Sequence, residues 1–284
     1  MNNHSKNKII DRLFQGFGIA NTFLGLILLA FFIGYIVYIG ASRLGWEFLT
    51  SLPSRFPEKS GIYTAMIGSI WIMFLTALFA FPVGVAAAVY LEEYQIKGWF
   101  SKILEINISN LAGVPSIIYG LLGLQVFARI LGLGGNLLAG SLTLSLLILP
   151  IVIVAAREAI KAVPKEIKEA SDAMGASQWQ TVWHQTLPAA FGGILTGIIL
   201  AVSKAVGEAA PLIVVGALAY VPFVPSSPMD EFSVLPIQIF NWISRPQAGF
   251  IINAAAGIIV LLVITFTLNG IAMILRNKFQ NKYQ

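Results

Sequence analysis

Residues 13–42 read LFQGFGIANTFLGLILLAFFIGYIVYIGAS, a run without one charged side chain. A helix needs roughly 20 apolar residues to cross the hydrocarbon core of a bilayer, so this run is expected to span a membrane. Lys6, Lys8 and Arg12 precede it in the manner of a secretory leader. The apolar stretch is too long for a typical leader core, and no small-x-small cleavage pattern stands out before Arg43, so it reads as a retained helix. Further along, Ser60–Leu91 and Pro246–Leu275 are also free of charge, and Pro188–Ala219 holds only Lys204 and Glu208. Ile106–Ala156 carries only Arg129 and is long enough for two spans, with Gly132, Gly134, Gly135 and Asn136 supplying a turn between them. Six helices are predicted, near 17–41, 62–90, 106–130, 137–156, 189–218 and 250–275. A β-barrel would show strands of about ten alternating residues, and these runs do not alternate.

Composition excludes the soluble alternatives. Apolar types make up 57% of the 284 residues and charged types 11%, with a mean hydropathy of +0.81; an ordinary soluble domain carries about 25% charged residues. Disordered, collagen-like and disulfide-scaffold classes fall away with it. The absence of cysteine removes disulfides, thiolate metal sites and cysteine nucleophiles. The two histidines, His4 and His184, are far apart, so no Ser-His-Asp set can be assembled from them, and His184, with no second histidine near, reads as a surface residue of its short helix in preference to a metal ligand. The net charge of +5 is no nucleic-acid signature in such a chain; where the positive charges lie is what matters.

Six spans put both termini on one side, and the positive-inside rule chooses which. Twelve cations (Lys6, Lys8, Arg12, Lys97, Lys102, Arg157, Lys161, Lys165, Lys168, Arg276, Lys278 and Lys282) fall in the tails and in the 92–105 and 157–187 loops, against Arg43, Arg55, Lys59, Arg129 and Arg245 opposite. The bias places both termini and the 157–187 loop in the cytoplasm. The outer 219–249 loop contains Pro222, Pro225, Pro228, Pro236 and Pro246 and reads as rigid.

The 157–187 loop is the most informative stretch. Pro164 suits the first turn of a helix; Lys165–Met174 follows with Ile167, Ala170 and Met174 on one face, and Gly175 ends it. Ser177 and Gln180 form a capping-box pattern, so a second short helix should start at once, carry Trp179, Val182 and Trp183, and end before Leu187-Pro188. Its aromatic face calls for a partner surface, or for the headgroup layer, which tryptophans favour. "EASDAMG" at 169–175, nine residues, then "QTLP" at 185–188 resembles the EAA loop of ABC-transporter permeases, which reads E-A-A, three residues, G, nine residues, I-x-L-P. Glu169, Ala170, Gly175, Leu187 and Pro188 match; Ser171 and Gln185 depart.

"GIYTAMIGSIWIM" at 61–73, "FPVGVAAAVYLEEY" at 81–94, "LAGVPSIIYGLLGL" at 111–124, "GEAAPLIVVGA" at 207–217, "LPSRFPEKSG" at 52–61 and "LPIQIFNW" at 235–242 resemble the phosphate permeases of PstA type, over roughly residues 45 to 275. "GEAAPL", where that family usually reads GETAPL, separates the chain from the sister PstC type. The resemblance implies an all-α membrane protein with the type I ABC importer permease fold, in the cytoplasmic (inner) membrane. It implies a heterodimer with a PstC-type permease, a PstB-type ATPase dimer on the cytoplasmic side and a PstS-type phosphate-binding protein outside. The chain has no G-x-x-x-x-G-K-[ST] run, so no cofactor is expected in it; ATP and Mg belong to the ATPase. Glu169, Ala170, Gly175, Trp179, Leu187 and Pro188 would couple to that ATPase, with the 178–186 helix docked in its groove. Expected boundaries are a cytoplasmic tail at 1–16, the first transmembrane helix at 17–41, an outer loop at 42–61, a five-helix permease core at 62–276 that includes the EAA loop at 158–188 and the proline-rich loop at 219–249, and a tail at 277–284.

Lys204 and Glu208 are the charges deep in a predicted span, where each costs about 2.5–3.5 kcal/mol. At i and i+4 of one helix they would share a face and neutralise each other. They read either as a strut locking the fifth helix or as a phosphate gate, and the default for intramembrane charges favours the gate. The family usually has arginine at Lys204. Arg157 and Glu158 read mainly as an interfacial anchor. Pro82 and Pro115 read as kinks, with Asn107, Ser109, Asn110 and Ser116 either wetting the path or bonding between helices. "GLGGN" at 132–136 is a turn. The rivals are a permease for sulfate or molybdate, an integral membrane enzyme, and a channel or scaffold without ATP.

Overall fold

A computed structural model describes the backbone of residues 3–94, 98–217 and 220–280, and the side chains within these ranges except those of 3–10, 100, 101, 109, 279 and 280. Lys97, Lys282, the side chains of His4, Lys6, Lys8 and Ser109, and the 218–219 junction of the expected fifth span and outer loop lie outside the described residues. The described residues are mostly helical and contain no strand.

Helix α1 is Asn3–Gly40, and a short α2 follows at Trp46–Thr50. Helix α3, Tyr63–Val89, continues through Pro82 and ends in a π turn at Tyr90–Tyr94. Next come α4 (Trp99–Leu111), α5 (Ser116–Gly123, prolonged by a π stretch Leu124–Ile130) and α6 (Leu137–Lys161). Helix α7 is Lys165–Ala173; α8 (Gln178–Thr181) passes through a π turn, Val182–Thr186, into α9 (Leu187–Val206). The chain closes with α10 (Ala210–Val215), α11 (Leu235–Ile243) and α12 (Gly249–Gln280). Five described segments are long and apolar enough to cross a membrane: Asp11–Arg43, Tyr63–Tyr94, Leu137–Lys161, Gln178–Val206 and Gly249–Lys278.

The expected third span at 106–130 is not one helix. Helix α4 stops at Leu111, and α5 restarts at Ser116 after Pro115, which sits outside both helices at φ −54°, ψ 135°. Proline has no N–H and pushes the residue before it out of the helical region, and Gly113 makes the turn easy to open. Pro115 is therefore a break and not a kink. The Ser116–Ile130 rod is about 22 Å long, short of the roughly 30 Å core.

The interior is built on small residues. Helix α3 buries Ala65, Gly68, Ser69, Ile72, Thr76, Ala80 and Gly84 at helical spacing, mainly against α6. Without a hydrophobic gain between helices in lipid, close contact and interhelical hydrogen bonds carry such packing. Thr76 Oγ1 donates to Ser141 O at 3.3 Å, and Ser145 Oγ lies 3.2 Å from Thr76 O. A first core joins α3, α6 and α9 around Ile72, Leu144, Ile148, Val152 and Ile198; a second gathers Phe48, Ile62, Leu235, Trp242 and Phe250 at the end where the 42–61 and 219–249 segments meet.

The proline-rich segment folds back into the bundle. Leu138 N–H donates to Pro228 O at 2.8 Å, and Leu235 N–H to Ser69 Oγ at 2.9 Å. The Asp230 carboxylate accepts the N–H groups of Ser226 and Ser227 at 2.8 and 2.9 Å, which holds its carboxyl below the usual range.

Candidate functional site: a glycine corner and a broken helix

The corner at 165–183 forms as its residues dictate. Helix α7 ends at Ala173, and Gly175 takes the left-handed conformation at φ +82°, open to glycine at no steric cost. Ser177 then caps α8 with both bonds of a capping box: Ser177 N–H to Gln180 Oε1 at 2.8 Å, and Gln180 N–H to Ser177 Oγ at 3.4 Å.

The second helix of the corner does not end before Leu187-Pro188, as expected; it runs unbroken into α9, so Gln178–Val206 is one rod. Proline cannot take the normal i→i−4 bond and its ring crowds that carbonyl. The π turn at Val182–Thr186 widens the helix immediately ahead of Pro188, with Leu187 N–H bonded to Val182 O. Such bulges let a helix absorb an irregularity without stopping. The aromatic face is also narrower than expected. Val182 is buried against the bundle, whereas Met174, Trp179 and Trp183 are 88%, 61% and 51% exposed. The two tryptophan rings meet edge to face, 5.4 Å between centroids. Glu169, Ala170 and Gly175 are exposed on the same corner, Pro188 is exposed and Leu187 half-buried.

What holds the corner was not read from the sequence. Lys168 Nζ pairs with Glu93 Oε1 at 2.5 Å, and Gln178 Nε2 donates to Glu93 O, so both short helices are clamped to the end of α3. Arg157 bridges Glu92 at 3.4 Å and Glu105 at 2.7 Å. The adjacent carboxylates of "LEEY", facing a loop rich in cations, were the available signal. Arg157 is thus a strut between α6, α3 and α4.

Lys204 and Glu208 do not form the expected pair. Helix α9 ends at Val206, Gly207 N–H closes on Lys204 O at 3.2 Å, and Glu208 lies in the turn before α10. Among the described residues no ion pair joins the two. The cause is Pro211: a continuous helix would put its ring against the carbonyl of Gly207, whereas restarting at Ala210 places it in a first turn. Lys204 is exposed between buried Ser203 and Ala205, and Glu208 is half-buried. With Leu200, Gly193 and the half-buried Gly197, Lys204 lies on one stripe at i, i+3 and i+4 spacing along α9, whose two glycines pack close to Ala159 and Ala155 of α6. Below it, Gly193, Gly197, Leu200, Ala155, Glu158 and Arg276 line part of a cavity of about 680 Å³. The polar residues expected near Pro115 are dispersed: Asn107 donates to Ile103 O in its own helix at 2.8 Å, and Asn110 is exposed.

Residues 80–281 match the family described as the inner membrane component of binding-protein-dependent transport systems. The chain belongs to this family. It is an inner membrane, multi-pass permease subunit of an ABC importer. It is similar to the probable ABC transporter permease protein YqgI of Bacillus subtilis (strain 168), 33% identical over 276 residues, covering 92% of the permease and 94% of that relative. It is 31% identical over 263 residues to the phosphate transport system permease protein PstA of Haemophilus influenzae, with 92% of each chain covered. The fold is shared with a permease chain of the bacterial alginate ABC transporter (TM-score 0.62, 18% identity, 95% of this permease and 97% of that chain). It is also shared with the inward-facing methionine transporter MetNI (TM-score 0.60, 18% identity, 75% and 93%).

Proposed function

We propose that the permease is the PstA-type half of an ATP-driven phosphate importer, paired with a PstC-type permease and served by a PstB-type ATPase dimer and a PstS-type phosphate-binding protein. Both termini and the 158–188 loop face the cytoplasm. The observation that carries the reading is Lys204, a cation standing uncovered on a membrane helix beside a helix break. A charge at that depth requires a wet path or a covering subunit, and a second permease supplies both. Its ammonium attracts an oxyanion. The turn at Gly207–Ala209 places Glu208 nearby, where a carboxylate accepts a phosphate proton or weakens anion binding enough for release. The similarity to PstA relatives supports phosphate over other oxyanions.

Glu169, Ala170, Gly175, Trp179, Leu187 and Pro188 form the ATPase-coupling element. ATP and Mg are held by the ATPase, whose hydrolysis supplies the energy; this chain presents the Trp179–Trp183 edge to it. The test is uptake of labelled phosphate by the co-purified complex in liposomes, with sulfate and molybdate as competitors. Phosphate uptake that depends on ATP and on the binding protein, and resists both competitors, is expected. Preferred uptake of sulfate or molybdate overturns the substrate; uptake without an ATPase overturns the coupling.

A further inference from the structure

At the end remote from the coupling corner, Pro53, Ser54, Arg55, Phe56, Tyr220 and Arg245 line an open cavity of about 530 Å³. Its side-chain polar groups are two guanidiniums, which can only donate, and the hydroxyls of Tyr220 and Ser54, which can donate as well as accept, Ser54 Oγ accepting the Phe56 N–H at 3.2 Å. Each guanidinium is held by a ring face: Arg55 lies 4.9 Å from the Phe56 centroid and Arg245 4.5 Å from that of Phe250. Arg245 Nε is further fixed by Asn241 Oδ1 at 2.9 Å. Stacking covers the plane of a guanidinium and leaves its N–H edge open for recognition. Among the described residues neither arginine has a carboxylate within salt-bridge distance, although Glu47, Glu58, Asp230 and Glu231 belong to the same two outer segments. Arg43 shows the contrast. Its guanidinium is occupied by Asn253 Oδ1 and by the carbonyls of Pro57, Glu58 and Ser60.

Two like charges in one cavity repel each other, and the arrangement is favourable when an anion sits between them. Planar guanidinium forks match an anion with several acceptor oxygens. We propose that this cavity is an oxyanion-binding site on the outer face, which holds a tetrahedral anion between its delivery and its entry to the path at Lys204. The role in phosphate entry rests on the function proposed above; the oxyanion site itself rests on the donor set. An acidic side chain of a docking protein has related chemistry, and the donors on offer and the concave shape favour the small free ion.

The test uses the purified transporter complex in nanodiscs, without the binding protein, and measures binding of labelled inorganic phosphate and sulfate by scintillation proximity. Arg55→Gln and Arg245→Gln should each weaken anion binding about tenfold, as expected for loss of a charge-assisted bond, and the double variant should abolish it. Lysine at either position should restore part of the binding, because charge returns and the fork does not. Arg55→Gln is the safer variant, since Arg55 is exposed and stacks on its neighbour's ring, with no side-chain hydrogen bond or ion pair among the described residues. Lys204→Met is the comparison: anion binding lost there and kept in the glutamine double variant places the ion in the path and overturns the proposal. Unchanged anion binding with weakened capture of the binding protein assigns the arginines to an acidic protein surface and overturns it equally. No binding of either anion by the wild-type complex also overturns it. The liposome uptake assay decides the transported substrate separately, because the site stands if either oxyanion is lost with the arginines.

Discussion

At the scale of single residues, the separation of Lys204 from Glu208 makes single substitutions informative. Two charges locked on one helical face would leave an orphan whenever one was removed. Here Glu208 lies beyond the helix end, so Lys204→Met removes a cation without stripping a bonded partner. The complex should assemble normally on size exclusion, and phosphate uptake into liposomes should fall by about tenfold or more, the effect of one lost charge-assisted contact. Lys204→Arg should retain uptake. Full uptake by assembled Lys204→Met would make the lysine a passive surface charge. Gly175 offers a second test, through its backbone. A side chain at φ +82° costs about 1–2 kcal/mol, and a β-branched one more. Nothing lies within 4 Å of its Cβ position, so steric clash plays no part. Gly175→Val should disturb the corner alone: helical content and membrane insertion stay constant, while pull-down of the ATPase weakens. Equal pull-down by the valine variant would show that the ATPase does not read the corner.

Elements show how far local sequence reaches. The charge-free runs announce their helices because nothing in them opposes burial in lipid. The corner was legible because its signals are local: Pro164, Gly175 and the Ser177/Gln180 pair each act within one turn. The breaks at Pro115 and Pro211 were also written locally, but an apolar run with one proline fits a kinked span as well as a broken one. The choice depends on packing: Gly120 leaves no room for a side chain, since a Cβ there would lie 2.8 Å from Pro211 Cα. The Glu92–Arg157–Glu105 and Lys168–Glu93 contacts were out of reach because they join residues far apart in the chain. Packing of α6 on α9 follows the same non-local rule and is testable. A Cβ on Gly197 would come within 2.5 Å of Ala155 Cβ, and one on Gly193 within 2.8 Å of Ala159 Cβ. Gly197→Val should force the helices apart and cost about 1–3 kcal/mol, read as a lower midpoint of thermal unfolding in detergent. Adding Ala155→Gly should recover part of that loss; an unchanged midpoint in the single variant would mean that the helices are not in tight contact.

Across the whole molecule, the corner and the broken helix are one mechanical object. From Trp179 to Lys204 the chain is a single rod of about 37 Å, softened only at the π turn before Pro188. A push on the exposed tryptophans therefore reaches the helix break without passing through a loop. The corner is also tied sideways to α3, whose other end packs beside Phe48 and Trp242 in the second core. Movement of the corner is thus delivered to two helices at once, along α9 directly and through Glu93 to α3. Removing both charges of that clamp, with Glu93→Gln and Lys168→Met, leaves no unpaired ion and should cost little stability, about 1 kcal/mol or less. It spares Trp179 and Trp183, so the ATPase should still bind and hydrolyse ATP. What should fall is the yield, measured as phosphate imported per ATP hydrolysed in sealed liposomes, because α3 follows the corner less closely once only the Gln178 bond to the Glu93 carbonyl is left of the clamp. Glu93→Asp with Lys168 intact keeps the charge pair and should behave closer to wild type. An unchanged ratio in the double variant would mean that α9 alone carries the stroke and that the clamp only holds the corner in place.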